Sequence, residues 1–136
     1  MIKYILALAI VGSIAIGTAS AAPAGKGKKT ETVQLRSMGK SGVTGTAVFT
    51  YDGTTTTVKL TVRHLKAGSL HPAHVHVARC SNPGAILYPF PNVHAGKNGI
   101  GVVRTSFPGP FTGKGWSVNV HVSPDDLTVI SCGNVK

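Results

Sequence analysis

The sequence predicts an all-β fold, a single antiparallel sandwich or barrel of about eight short strands. Three observations lead there. Short runs rich in Val, Thr and Ile recur along the chain, and clusters of Gly, Pro, Asn and Asp separate them. No segment after the leader carries a 3.6-residue apolar period, which excludes amphipathic helices as the building units. The length, 136 residues less a short leader, suits one domain with one core.

The leader is "MIKYILALAIVGSIAIGTASAA". It has one cation, Lys3, then an apolar run, then Ala19-Ser20-Ala21, an A-x-A site that places cleavage before Ala22. The apolar run is short for a membrane span and the A-x-A box follows it directly, so residues 1–21 read as an export signal peptide. A secreted, periplasmic or cell-envelope location follows. Residues 22–31, containing "PAGKGKKTE", form a flexible basic lead-in. The folded domain is expected over residues 32–136.

Within it the expected strands are "TVQLRSM" (32–38), "VTGTAVFTY" (43–51), "TTTVKLTVRHL" (55–65) and "PAHVHVA" (72–78). "AILYPF" (85–90), "GIGVVRTSF" (99–107), "GWSVNVHV" (115–122) and "LTVISC" (127–132) follow. Turns fall at Asp52-Gly53, at Gly96-Lys97-Asn98-Gly99 and at Pro124-Asp125-Asp126. "PGPFTGKG" (108–115) is a turn-rich connection, Trp116 a packing residue, and "YPFP" (88–91) a stiff loop crossing the barrel. There is no internal repeat.

Charge narrows the partners. Lys and Arg number 14 against four acids, and removing Lys3 leaves a net charge near +9. Outside the cell, and with few aromatic side chains for base stacking, nucleic acid is excluded as a partner. Loose association with an anionic cell envelope is the simplest reading of the charge. The two cysteines of an exported domain, Cys80 and Cys132, most simply form one disulfide. Closing a loop of that length is worth about 4 kcal/mol in the chain-entropy model.

Three of the six histidines fall in "HPAHVHVARC" (71–80). On a strand, His74 and His76 share one face while Ala73, Val75 and Val77 share the other. On "GWSVNVHV", Val118, Val120 and Val122 form an apolar face and Ser117, Asn119 and His121 the opposite one. If the two strands are neighbours, three imidazoles converge on the outside of the barrel. Two side chains at i and i+2, about 7 Å apart, can share one metal ion with a third from another strand.

Five stretches in order resemble the copper/zinc superoxide dismutase superfamily. "VQLRSMGKSGVTGTAVFTY" resembles its opening hairpin, and "VKLTVRHLKAGSLHPAHVH" its L-x-x-G-x-H-G-F-H-x-H stretch. "NVHAGKNGIG" is similar to its N-V-x-A-x-x-x-G turn, "VNVHVSPDDL" to its V-V-H-x-x-x-D-D-L, and "SCG" to its terminal A-C-G. The resemblance covers nearly all of the mature chain. It implies a Greek-key barrel of eight strands, copper on His74, His76 and His121, and a supporting role beside the metal for His71. It also implies the intrasubunit disulfide Cys80–Cys132. The superfamily often dimerises through variable contacts, so the oligomeric state stays open.

The departures from that pattern bear on function. Only "SNPGAILYPFP" separates Cys80 from the "NVHAGKNG" turn, so the long loop with the bridging histidine and the zinc ligands is missing. No second zinc site is expected. His94 falls where relatives carry a small or polar residue; it is a surface histidine or, alternatively, a substitute ligand. Only "TVIS" separates Leu127 from Cys132, so the charged loop is missing too, and Val129 stands where relatives carry an arginine. Asp125 and Asp126 read as turn residues. Copper is thus expected at a three-histidine site, with zinc possible because three His plus an open position also suits that ion. Three functions follow: a secreted copper-only protein dismutating superoxide, a non-catalytic copper scavenger or carrier, and a structural cell-surface sandwich with incidental histidines.

Overall fold

The computed structural model describes residue 17, residues 27–112 and residues 114–136. The leader and most of the lead-in expected before the domain therefore lie outside the described residues. Ten strands form among those described, and no helix. They are β1 (Lys29–Ser37), β2 (Thr44–Tyr51), β3 (Thr55–Arg63), β4 (Leu70–His71), β5 (Ala73–Val77), β6 (Ile86–Pro89), β7 (Val93–His94), β8 (Gly101–Pro108), β9 (Trp116–Ser123) and β10 (Asp126–Asn134).

Strict alternation sets the inner face. In β2, Ala47, Phe49 and Tyr51 are buried, and in β3 Thr56, Val58, Leu60 and Val62. The intervening threonines, valines and lysines face outward. Asp52 closes this hairpin: its Oδ1 accepts the Thr54 and Thr55 N–H groups at 2.8 Å each, and Gly53 takes a positive φ of 109°.

Eight strands make one antiparallel sheet in the order β6-β5-β9-β10-β1-β2-β3-β8. The sheet curls until its two edges meet. Tyr88 of β6 stacks flat on Phe107 of β8, with centroids 3.8 Å apart and planes 3° from parallel. Trp116 packs edge-on against both. The chain crosses the barrel end twice, between β3 and β5 and between β6 and β8. Each crossover contributes one short strand, and the two pair as a ribbon, Leu70 opposite His94 and His71 opposite Val93. These two-residue strands are the additions to the eight expected.

Three expectations are corrected. β1 begins at Lys29, inside the stretch read as a lead-in, because Lys29, Thr30 and Glu31 pair with Tyr51, Thr50 and Phe49. The Lys29 ammonium also lies 4.4 Å from the centre of the Phe111 ring. Tyr88-Pro89 belongs to edge strand β6 and does not cross the barrel as a loop; Pro89 sits at its end, where a missing N–H is tolerated. Phe111, in a stretch read only as a connection, is buried against Phe49 with centroids 5.2 Å apart.

Candidate metal centre

The centre is built on β5 and β9. They pair with His74 opposite Asn119 and His76 opposite Ser117. Opposite residues share a face, so His121, two residues beyond Asn119, joins the two histidines diagonally. His74, His76 and His121 offer ligand nitrogens that all lie within 4.8 Å of one another. The ring centroids are 5.4 Å apart for His74 and His76, 4.9 Å for His74 and His121, and 5.8 Å for His76 and His121.

This face is not the open exterior that alternation alone suggests. His76, His121, Ser117 and Asn119 are buried, and His74 is half-buried. The turn after β5 lies against part of this face, with Gly84 O on the His76 ring, and is pinned by the Cys80–Cys132 disulfide, whose Cα atoms are 5.9 Å apart. Cys132 lies opposite Asn119 on β10, so the bridge fastens that turn over the outer face. Asn134 Oδ1 accepts the Cys80 N–H at 2.8 Å and holds the same corner.

Two backbone carbonyls fix the ring orientations. His76 Nδ1 donates to Gly84 O at 2.9 Å, and His121 Nδ1 donates to Leu127 O at 2.8 Å. A carbonyl can only accept, so both rings carry the proton on Nδ1 and direct the Nε2 lone pair into the cluster. His76 Nε2 is buried and has no hydrogen-bond partner. His74 presents Nδ1, 2.9 Å from His121 Nε2. Register shifts occur beside both supports, in the β5–β6 pairing at His76 and in the β9–β10 pairing around Val129. Such irregularities re-aim side chains near sites.

Electrostatics keeps the His74 and His121 imidazoles neutral. Burial, then the His121 and His76 rings, pushes His74 down to about 4. Burial also lowers His121, partly opposed by its bond to Leu127. Neutral imidazole is the form that binds a metal, so at neutral pH these two rings are ready to do so.

The remaining histidines stand elsewhere. His71 is buried beneath the cluster; its Nδ1 donates to the His121 carbonyl at 2.9 Å and its Nε2 lies 2.7 Å from Ser69 Oγ. His94 is exposed on β7 and is not brought into the cluster. Val129 stands directly opposite His121 on β10. Asp125 lies in the turn before β10, but Asp126, also expected there, is the first residue of β10, because it already pairs with Ser123; its Oδ1 accepts the Thr128 N–H at 3.0 Å. Gly84 and Leu127 are the contributors that sequence reading missed. They act through backbone carbonyls, which any residue type supplies, so only the turn signal of "SNPG" hinted at the first. Gly84 itself is required by space: a Cβ there would lie 2.8 Å from Val77 O.

No protein-family model matches the chain, and no curated protein matches it in sequence. A structural match is clear. A SOD-like protein from Bacillus subtilis superposes with a TM-score of 0.56 at 18% identity, over 81% of this chain and 100% of that one. The fold is superoxide-dismutase-like. On this SOD-like barrel the three-histidine cluster can hold a metal ion, and it is the one group of three or more convergent ligands among the described residues.

Proposed function

We propose that this is an exported, single-site copper protein on a SOD-like barrel, and that its copper-loaded form dismutates superoxide. The observation that carries the copper site is the His76 Nε2 lone pair, buried without a partner and facing the nitrogens of His74 and His121. A buried polar atom left unsatisfied costs about 1–3 kcal/mol, and an ion at that point removes the cost. Three imidazoles suit both cuprous and cupric ions, and the disulfide supports an oxidising location.

Bound copper would supply one-electron cycling between its two states. The chain's own residues would do the rest. Gly84 and Leu127 carbonyls hold two tautomers, His71 braces the His121 backbone, and half-buried His74 leaves one side of the cluster reachable from solvent. Dismutation turns two superoxide anions and two protons into dioxygen and hydrogen peroxide. With only three histidines at the centre, water is the proton source.

A second reading, copper binding without turnover, is favoured by Val129. An apolar side chain opposite His121 offers an incoming anion no charge at that position. The test is copper and zinc titration of the mature protein, then superoxide turnover on the loaded form, with His121→Ala as control. One tight copper, lost in the variant, with turnover well above free copper, supports the enzyme. Tight copper without turnover leaves the carrier. Tight zinc with weak copper makes it a zinc protein. No stoichiometric metal overturns every metal reading and leaves the structural one.

A further inference from the structure

Away from the metal centre, the outward face of β1, β2, β3 and β8 carries cations and hydroxyls but no carboxylate. Register makes the pattern explicit. Thr44 lies opposite Arg63, and Arg36, one residue past the Leu35–Gly45 pair, falls on the same rung. Thr32, Val48, Lys59 and Arg104 form another rung, linked pair by pair. Between them runs Gln34, Thr46 and Thr61, and beyond runs Thr30, Thr50, Thr57 and Ser106. Rungs on one face recur about every 7 Å along the strands, so the two basic rungs are about 14 Å apart.

None of the chain's four acidic groups stands on this face. Glu31 projects from the opposite phase of β1, where its Oε1 accepts the Lys136 N–H at 2.7 Å. Asp52 is engaged with turn N–H groups and Asp126 with the Thr128 N–H at the start of β10, and Asp125 sits in the turn before that strand. Lys59 and Arg104 are directly opposed across β3 and β8, both exposed. Like charges in that relation destabilise a sheet. An anion lying between them turns this cost into attraction.

The face also has relief. Gln34, Arg36, Thr44, Thr46 and Arg63 line a shallow cleft of about 340 Å³. On the other side of Arg36 a groove of about 480 Å³ opens where β1 and β10 separate; Arg79 and Lys136 line it, and so does Glu31, whose carboxylate is engaged by the Lys136 N–H. The two share Gln34 and Arg36, so the carboxylate-free cleft of Arg36 and Arg63 continues across β1 into the groove beside the disulfide.

We propose that this face binds a linear anionic glycan, a sugar polymer bearing sulfate or phosphate groups. The spaced cations match repeating anions, and the threonine hydroxyls and Gln34 match sugar hydroxyls. Aromatic rings for stacking bases are missing from these rungs, and the two valines of the face, Val48 and Val102, are too small to insert into lipid. The inference is independent of the metal centre.

The test measures binding of the mature protein to dextran sulfate, with unmodified dextran as the neutral control, at several salt concentrations. Vesicles of equal parts phosphatidylglycerol and phosphatidylcholine are the competing surface. Three double variants are compared: Lys59→Gln/Arg104→Gln, Arg36→Gln/Arg63→Gln, and Lys97→Gln/Lys114→Gln, which removes the same charge from loops. Each face variant should weaken dextran sulfate binding about tenfold or more and flatten its salt dependence by about one unit of slope for every cation that no longer meets a sulfate. The loop variant should stay within about threefold of wild type. Thermal melting checks the fold, and Lys59→Gln/Arg104→Gln should melt no lower than wild type because a repulsive pair is removed. Equal losses in all three variants would reduce the effect to net charge and overturn the face. Undetectable dextran sulfate binding, or tighter binding to the vesicles, would overturn the glycan.

Discussion

His74 Nδ1 and His121 Nε2, contributed by neighbouring strands, stand 2.9 Å apart. Because His121 Nδ1 donates to Leu127, its Nε2 accepts, and His74 must supply the proton from Nδ1. A metal ion needs lone pairs on both nitrogens. His74 therefore has to carry its proton on Nε2 in the loaded protein, at the half-buried edge of the site. Nitrogen NMR during titration with zinc, a diamagnetic probe, should show the His74 proton moving from Nδ1 to Nε2 while His76 and His121 keep theirs on Nδ1. A His74 Nδ1 still protonated at saturation would remove that nitrogen from the ligand set.

Acid should destabilise the metal-free protein through the same ring. His74 is held down to about 4 in the folded state, against about 6.5 in an unfolded chain. Between those values the unfolded chain takes up a proton that the folded one refuses, so this contribution is complete above about pH 6.5 and is lost as pH falls toward 4. His121 is shifted in the same direction. Asp52, held low by the Thr55 and Thr54 N–H groups, and Asp126, held low by the Thr128 hydroxyl and N–H, titrate below this window. Denaturant midpoints should drop between pH 7 and 4.5, and His74→Gln should reduce the drop. A flat profile over that range would show that the ring titrates normally.

Much of the barrel was legible because period-two alternation is a local property. Each of the eight expected strands formed, most within one or two residues of its expected ends; β1 began three residues early and β10 ran two residues past Cys132. The pairing of β5 with β9, on which the cluster depends, was not legible from alternation, since strand adjacency is set by long-range topology. The burial of Ser117, Asn119 and His121 was missed for a related reason. Alternation separates two faces but does not say what lies over the outer one, where the disulfide-pinned turn meets His76 and the Leu127 carbonyl meets His121. Close backbone packing also hides in sequence. Gly133 lets β10 pass against β1, where a Cβ would lie 2.5 Å from Gln34 O; the "SCG" resemblance marks the residue but not this packing.

The disulfide should support the metal centre as well as the fold. Cys80 and Cys132 are 52 residues apart, and opening the bridge should cost about 4 kcal/mol of stability. The turn it fastens carries Gly84, whose carbonyl holds the His76 ring. Loss of such a support typically weakens metal binding 10- to 100-fold. Cys80→Ala/Cys132→Ala, measured without denaturant and with its β-sheet circular dichroism intact, should therefore bind metal at least about tenfold more weakly. Unchanged affinity would mean that the Val77–Gly84 and Val77–Ala85 backbone bonds hold the turn unaided.

The seam between β6 and β8 makes the last prediction. No backbone pairing joins these two edges in the sheet order, so the Tyr88–Phe107 stack, with Trp116 against it, closes the barrel. Phe107 is buried, and Phe107→Ala should cost about 3–5 kcal/mol. Tyr88→Ala should cost less, since that ring is only partly buried. The two effects should not add: a double-mutant cycle should return a coupling of about 1 kcal/mol, the usual worth of an aromatic pair beyond its buried area. Amide exchange should rise first in β6 and β8 of either variant, because an opened seam exposes two sheet edges together. Strict additivity would mean that the rings only fill space, and that the barrel stays closed through the two crossovers and their β4–β7 ribbon.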